Sequence, residues 1–203
     1  MKNSNNSDTF ENQNTEELFF AKSDLSNHKI DQLVSESLKS ADDGELYLEF
    51  SENESFVFDD QRLKSASFDT SKGFGLRAIS GESSGYAHSS DITEAALRKA
   101  SNTVNFITKS SSGNFNHDFS KTNRKLYMDA NPIDTSNFED KVNTLKRIDE
   151  YARKKNPNVK QVSAALNGEW QVVRIYRPGG VFVEDIRPLV RLYISIVLEK
   201  NGR

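Results

Sequence analysis

The sequence contains no cysteine among its 203 residues, and it has only four prolines and one tryptophan. The absence of cysteine excludes disulfide bonds, thiolate zinc sites, iron–sulfur clusters and a cysteine nucleophile. It also fits a reducing compartment, so we expect a cytoplasmic protein. Long apolar runs are missing too. The cluster Leu18-Phe19-Phe20-Ala21 is too short for a signal peptide, and no segment approaches the roughly 18 apolar residues of a membrane helix.

The sequence also lacks a large excess of charge of either sign. The chain has 27 basic and 30 acidic residues, a formal net charge of -3, and a pI near 5.7. This balance argues against a nucleic-acid-binding surface, which normally has a strongly basic face. It also argues against disorder throughout the chain, which usually requires a high net charge. Hydrophobic residues make up only 35% of the sequence, so we expect some stretches to stay outside the core.

The composition changes along the chain in a way that predicts four regions. Residues 1–23 are predicted to be a disordered tail, because Met1 to Glu17 are rich in Asn, Ser and acidic residues. Residues 24–108 are predicted to form an N-terminal α+β domain, and residues 109–125, with their Ser/Asn-rich stretch, a linker. Residues 126–203 are predicted to be an incomplete middle domain made of a helix and β-hairpins.

The N-terminal unit is predicted to be an antiparallel sheet flanked by helices. Apolar residues at helical spacing predict a helix over Ser26–Ser40 and another over 92–108, the second capped by Asp91 with Glu94 three residues later. Alternating residues and turn signals between the two helices predict a meander of short strands. These strands are placed at 45–50, 55–59, 63–68, 74–79 and 85–88.

The second unit is predicted to begin with a helix at 137–155 that ends at Asn156-Pro157. Its last turn carries Arg153-Lys154-Lys155, which we interpret as solvated charges that suit the helix dipole. Two turn signals follow, Asn167-Gly168 and Pro178-Gly179-Gly180, and they predict hairpins. The strands are placed at 159–166, 169–177, 181–186 and 189–199.

A further hairpin signal, Asn201-Gly202, stands directly before the last residue of the sequence. It predicts a turn whose second strand is not part of these 203 residues. The long apolar strand before it, Leu189–Glu199, is therefore expected to be an aggregation-prone edge.

No complete active site is predicted from local motifs. The three histidines, His28, His88 and His117, stand outside any H-E-x-x-H motif, and a solvated loop residue is the preferred interpretation of His117. In His88-Ser89-Ser90-Asp91 we interpret Asp91 as a helix cap rather than as a member of a triad. The stretch Gly73–Ala78 matches a dinucleotide-binding pattern but lacks the helix that this pattern requires. We therefore expect no catalytic, metal-binding or cofactor-binding residue in this chain.

Acidic pairs occur at Asp59-Asp60 and Glu184-Asp185. Both pairs stand at predicted turns or strand ends. We interpret them as solvated carboxylates, the default for such positions.

In its order of segments the chain resembles the TldD/PmbA family of zinc metallopeptidases, and the TldD branch most of all. The resemblance extends over about residues 24–203 and rests on five segments in the family's order. They are Leu46–Phe50, the glycine-punctuated Gly73–Ala87, Lys146–Tyr151, Asp185–Arg191 and Glu199–Arg203.

The resemblance implies an N-terminal portion only. Family members are more than twice as long, and their zinc motif, H-E-x-x-x-H, lies downstream of the matched region, so no catalytic or metal residue carries over. In that motif, histidines on one helix face hold zinc while the glutamate handles the proton of the attacking water. The resemblance implies that this N-terminal half pairs with a related TldD/PmbA subunit and that the full-length enzyme binds zinc and acts on unfolded peptides. We expect neither nucleic acid nor a membrane as a partner.

Two hypotheses about function follow. In the first, the chain is the N-terminal segment of a TldD-type metallopeptidase, produced by truncation or gene splitting, and inactive alone. In the second, it is a non-catalytic module whose open sheet edge accepts a strand from a peptide or partner. DNA encoding H-E-x-x-x-H after Arg203 would favour the first hypothesis, and binding of extended peptides would favour the second.

Overall fold

The computed structural model describes residues 15–21, 23–108 and 126–200. These residues form four helices and five strands. The elements are α1 (Thr15–Phe20), α2 (Asn27–Ser37), β1 (Asp43–Asp59), β2 (Arg62–Ser80), β3 (Ser83–Ser89), α3 (Glu94–Thr108), α4 (Phe138–Lys155), β4 (Val159–Arg177) and β5 (Val181–Leu198). None of the described helices is both long enough and apolar enough to cross a membrane.

The five strands make one antiparallel sheet in the order β3-β2-β1-β4-β5. β1 lies at the centre and pairs along its length with β2 on one side and β4 on the other. The predicted α+β class, an antiparallel sheet flanked by helices, is confirmed. Both predicted units contribute to this sheet, because β1 comes from the first and β4 from the second.

The helices cover one face of the sheet. Leu46 and Leu48 of β1, fully buried, alternate with residues on the opposite face and pack in one cluster with Ile30 of α2 and Val104 of α3. A smaller cluster joins α4 to the other end of the sheet. It contains Phe56, Phe58, Leu145 and Ala164.

A buried ion pair lies beside the smaller cluster. The Nζ of Lys141 lies 2.7 Å from Oε1 of Glu54 and donates to the carbonyl of Ile133 at 2.6 Å. The side chains of Lys141 and Glu54 are 8% and 9% exposed. Asn131 donates to Glu52 at 2.6 Å on the same strand. These bonds attach the segment before α4 to the central strand.

The strands are longer than the sequence predicts. β1, β2 and β4 each run through positions that were predicted to be turns, and β5 runs through the gap left between two predicted strands; the four strands contain 17 to 19 residues. Asn167-Gly168 is the clearest correction, since it lies in the middle of β4 opposite Ser55 and Glu54 of β1. A side chain at Gly168 would meet Glu54 and Ile133 at 3.2–3.3 Å, so this glycine permits close packing rather than a reversal.

The turn predicted at Pro178-Gly179-Gly180 is confirmed. Both glycines have positive φ, +85° and +75°, which only glycine adopts without strain. This turn joins Arg177 of β4 to Val181 of β5, which are paired. The turn predicted at Asn201-Gly202 and the linker predicted at 109–125 lie outside the described residues.

The N-terminal region requires a further correction. Residues 1–23 were predicted to be a disordered tail, but Thr15–Phe20 form α1. Phe19 and Phe20 are 1% and 7% exposed and belong to the main hydrophobic cluster. The burial of the two phenylalanines stabilises this short helix in the core.

Helix ends agree with the prediction for α4 and differ in part for α3. Asn137 caps α4, and its side chain accepts from the N–H of Asp140. At α3 it is Thr93, not Asp91, whose side chain accepts from a first-turn amide, that of Ala96 at 3.3 Å. Asp91 instead accepts from the hydroxyl of Thr93.

Candidate functional site

The histidines are not brought together. His28 is exposed on α2, and His88 is exposed on β3, where its ring stacks on Tyr86 with centroids 5.8 Å apart. His117 lies outside the described residues. Across the described parts of the chain, no group of three or more His, Asp or Glu side chains is arranged to hold a metal ion.

The glycine pattern at Gly73 and Gly75 lies inside the continuous strand β2, and no helix begins there. A Cβ at Gly73 would lie 2.8 Å from the carbonyl oxygen of Ser89, and one at Gly75 would lie 2.6 Å from the hydroxyl of Tyr86. The glycines therefore permit a close approach of β3 and its side chains to β2. The register shift in β1·β2 occurs elsewhere, between Val57 and Phe58.

These glycines form the floor of a hollow on the face of the sheet opposite the helices. Alternation places Tyr47 and Glu49 of β1 on this face beside Gly75 and Gly73. Tyr86 and His88 of β3 border it on the far side. The hollow has a volume of about 290 Å³, and its walls are a carboxylate on one side and aromatic rings on the other.

A hydrogen bond orders the β1 wall of this hollow. The hydroxyl of Tyr47 donates to Oε2 of Glu49 at 2.6 Å. Partial burial raises the pKa of Tyr47 well above its ordinary range, and the hydrogen bond to Glu49 is the second cause of this increase. Tyr47 therefore remains a protonated donor and Glu49 an acceptor.

A second hollow lies further along the same face, with a volume of about 370 Å³. It is polar, and charged side chains from three strands border it. They are Asp69 of β2, Glu169 of β4 and Arg191 of β5. The open face thus offers polar and charged groups, whereas the main cluster on the helix-covered face is apolar.

β5 forms one edge of the sheet, and its C-terminal half is apolar on both faces. The large apolar side chains of this half are each 42–61% exposed. They are Leu189, Val190, Leu192, Tyr193, Ile194, Ile196, Val197 and Leu198. An exposed edge of this kind is a template for adding another strand.

The acidic pairs are more engaged than the sequence predicts. Glu184 lies within β5, where its Oε2 accepts from Nε of Arg174 and from the hydroxyl of Thr15, both at 2.7 Å. Arg174 is buried and lies over the rings of Phe19 and Phe20 of α1. The solvated-carboxylate interpretation is therefore wrong for Glu184, since the pair with Arg174 fixes α1 to the sheet.

Asp59 is also bonded, to two side chains of β4. Ser163 and Gln161 donate to its Oδ1 at 2.5 and 2.9 Å. These bonds lower the pKa of Asp59, and the bond from Ser163 has the larger effect. Arg153, from the basic triplet at the end of α4, donates to Asp60 and Asp149.

Two family models match the chain in succession. The PmbA/TldA metallopeptidase domain 1 matches residues 44–104, and the PmbA/TldA metallopeptidase central domain matches residues 131–203. The chain belongs to the PmbA/TldD metallopeptidase family. The resemblance expected from the sequence segments is thereby confirmed.

Individual relatives agree with the family assignment. The metalloprotease TldD homologue of Haemophilus influenzae is 35% identical over 170 residues, which are 82% of this chain and 35% of that protein. The TldD homologue of Buchnera aphidicola from Acyrthosiphon pisum is 30% identical over 166 residues, 81% of this chain and 34% of that protein. The chain thus spans about a third of the length of these curated relatives.

A solved structure supports the fold. The crystal structure of TldE from Thermococcus kodakarensis superimposes with a TM-score of 0.61 at 17% identity. The match covers 86% of this chain and 40% of TldE. At this identity the likeness concerns the fold alone.

The side chains of the Gly73 hollow were not predicted as a site. The sequence signal that was available is the alternation of β1, which places Tyr47 and Glu49 on one face. Their proximity to Tyr86 depends on the pairing of three strands, and no local pattern specifies that pairing.

Proposed function

We propose that the chain is the N-terminal segment of a TldD-type zinc metallopeptidase and that it has no peptidase activity by itself. The observation that carries the proposal is the succession of the two family models, domain 1 at 44–104 and central domain at 131–203. The two models also support the division of the chain into an N-terminal domain at 24–108 and a middle domain at 126–203. The two curated relatives are more than twice as long as this chain, since the matched 170 and 166 residues are 35% and 34% of their lengths.

The donor set of the chain does not fit a catalytic zinc ion. The sequence has no H-E-x-x-H or H-E-x-x-x-H motif, and the described residues contain no metal-binding cluster. A catalytic zinc site needs three convergent protein ligands and an open position. We therefore assign zinc to a part of the longer protein outside these residues and derive no catalytic step from this chain.

β5 is the proposed contact surface for that remaining part. Its C-terminal half exposes apolar side chains on both faces, as in a strand that is covered from both sides in a larger assembly. In this proposal the complete protein acts in the cytoplasm on unfolded peptides and pairs with a related family subunit. The role of the segment is to shape the peptide cleft and to support the catalytic part.

The experiment is complementation. The chain is co-expressed with the C-terminal two thirds of the Haemophilus influenzae relative, and bound zinc and cleavage of an unfolded peptide are measured. We expect no cleavage by the chain alone, and zinc-dependent cleavage by the pair. The matched control replaces the glutamate of H-E-x-x-x-H in the added part with glutamine, which should abolish cleavage and leave association intact.

Stoichiometric zinc or cleavage with the purified chain alone would contradict the proposal. So would a failure of the two parts to associate when each is folded. If the chain binds extended peptides but no family subunit, the alternative of a non-catalytic binding module is favoured instead.

A further inference from the structure

The hollow above Gly73 contains a carboxylate oxygen that is available to a ligand. Oε2 of Glu49 accepts from Tyr47 at 2.6 Å. Among the described residues, no hydrogen-bond donor or cation is bonded to the other oxygen, Oε1. A carboxylate that is fixed by one bond and open on its second oxygen is a preorganised acceptor for a charged donor.

The opposite wall of the hollow presents an aromatic face. Tyr86 is 60% exposed, and its ring is held by stacking on His88 with an angle of 30° between the planes. Gly75 makes room for this ring, because a Cβ there would lie 2.6 Å from the hydroxyl of Tyr86. β1 and β3 flank β2, so their backbones are about 10 Å apart, twice the strand spacing. The ring of Tyr86 reaches over β2 to the position of Gly75, and this ring, Gly73 and Glu49 border the same hollow of about 290 Å³.

Nearby cations already have partners or extend from the other face. Arg187, whose charge acts on Tyr47, is bonded to Asp185 at 2.6 Å. Arg77, the neighbour of Tyr86, lies 3.4 Å from Glu45. Lys72 borders the hollow, but strand alternation directs its side chain to the face that carries the helices.

We propose that the hollow between Glu49 and Tyr86 binds the guanidinium group of an arginine side chain in an extended peptide segment. Oε1 of Glu49 accepts from the guanidinium, and the exposed face of Tyr86 stacks on its plane. Arginine suits such a site better than lysine, because its planar group both stacks and donates in a fixed geometry. This site stands on its own geometry and does not depend on the metallopeptidase proposal.

The test is a nuclear magnetic resonance titration of the whole chain with acetyl-Gly-Arg-Gly-amide. We expect dose-dependent shifts of the amide signals of Gly73 and Gly75. The same peptide with citrulline, which has the shape of arginine without its charge, should bind at least tenfold more weakly. The lysine peptide should bind several-fold more weakly than the arginine peptide.

Matched variants distinguish the two walls. Glu49→Gln should weaken arginine binding at least fivefold, whereas Glu169→Gln, on the same face in the second hollow, should leave it unchanged. Tyr86→Phe should retain binding and Tyr86→Leu should lose most of it. The unshifted signals of the core report that each variant is folded.

Equal binding of the arginine and citrulline peptides would overturn the proposal. So would equal effects of Glu49→Gln and Glu169→Gln, or shifts that are absent from Gly73 and Gly75. Stronger binding of the lysine peptide would overturn the stacking role of Tyr86.

Discussion

The same sheet has two free edges of opposite character. On one side, β3 pairs only with Phe74–Ser80 of β2, so residues 62–72 of β2 form an unpaired edge among the described residues. This stretch is almost wholly exposed and carries charges, among them Lys64, Asp69 and Lys72. On the other side, the C-terminal half of β5 exposes a nearly continuous apolar run.

The charged edge of β2 is suited to contact with water, and the apolar edge of β5 is suited to burial. Charged residues on an edge disfavour pairing with another chain, because any added strand would bury them. The apolar edge of β5 has no such protection over Leu192–Leu198, where it alternates only apolar, Tyr and Ser residues. The comparison indicates that β5 is the edge better suited to pairing with another strand.

The largest expected effect concerns the buried ion pair on the central strand, which lies between the two edges. Lys141→Ala leaves the carboxylate of Glu54 buried without its cation, so we expect a loss of about 3–5 kcal/mol in the free energy of unfolding. Urea denaturation measures this loss. Lys146→Ala is the control on the same helix, since Lys146 is exposed and lies 3.9 Å from Glu150. A loss of the same size in both variants would contradict the role of the buried pair.

The next effect concerns the apolar edge. Replacing Leu192 and Ile194 together with lysine should reduce self-association of the chain about tenfold, because an added strand would then bury two charges. Size-exclusion chromatography with light scattering measures it. The idea fails if the unaltered chain is already monomeric and highly soluble with β5 well ordered.

A smaller effect is expected at the polar edge. Lys64→Val with Lys72→Val gives β2 an edge closer in composition to β5, and self-association should rise a few-fold. Lys64→Glu with Lys72→Glu keeps the edge charged and should leave it unchanged. If valine and glutamate variants behave alike, charge is not what protects this edge.

The smallest effect is a pH dependence at the turn between β1 and β2. The pKa of Asp59 is lowered in the folded chain by its bonds from Ser163 and Gln161. Its contribution to stability is therefore complete above the ordinary aspartate pKa of about 4 and is lost as the pH falls through the lower folded value.

Asp59→Asn should remove this part of the acid dependence. Thermal unfolding between neutral pH and pH 3 measures it. An identical acid dependence in the variant and the unaltered chain would contradict the assignment.

The three longer helices of the fold were predictable, and the strand boundaries were not. α4 could be placed within a residue, because its stripe of apolar residues, Asn137 cap and Pro157 stop are all local. The turn predicted at Asn167-Gly168 was wrong, because this dipeptide occurs both in tight turns and at positions of close packing. Here Gly168 packs against Glu54 and Ile133. Only the neighbouring elements distinguish these two uses.

The candidate site was predictable only in part. The sequence excluded cysteine chemistry and local zinc motifs, and its segment order predicted the family. The hollow at Gly73 was missed, because Glu49 and Tyr86 are 37 residues apart and meet only through β2. α1 was missed for a related reason, since Phe19 and Phe20 are buried against residues that lie far along the chain, including Arg174.

By itself, the sequence determined the α+β class, the three longer helices, the lack of a local metal motif and the family, since these depend on residue types at short spacing or on the order of segments along the chain. The tertiary structure decided which strand lies at each edge, which face stays open and which charges meet. These properties depend on the pairing of distant strands, where a side chain's surroundings are set by neighbours across the sheet. The apolar run of β5 could be read from the sequence, but its contrast with the charged edge of β2 exists only in the assembled sheet.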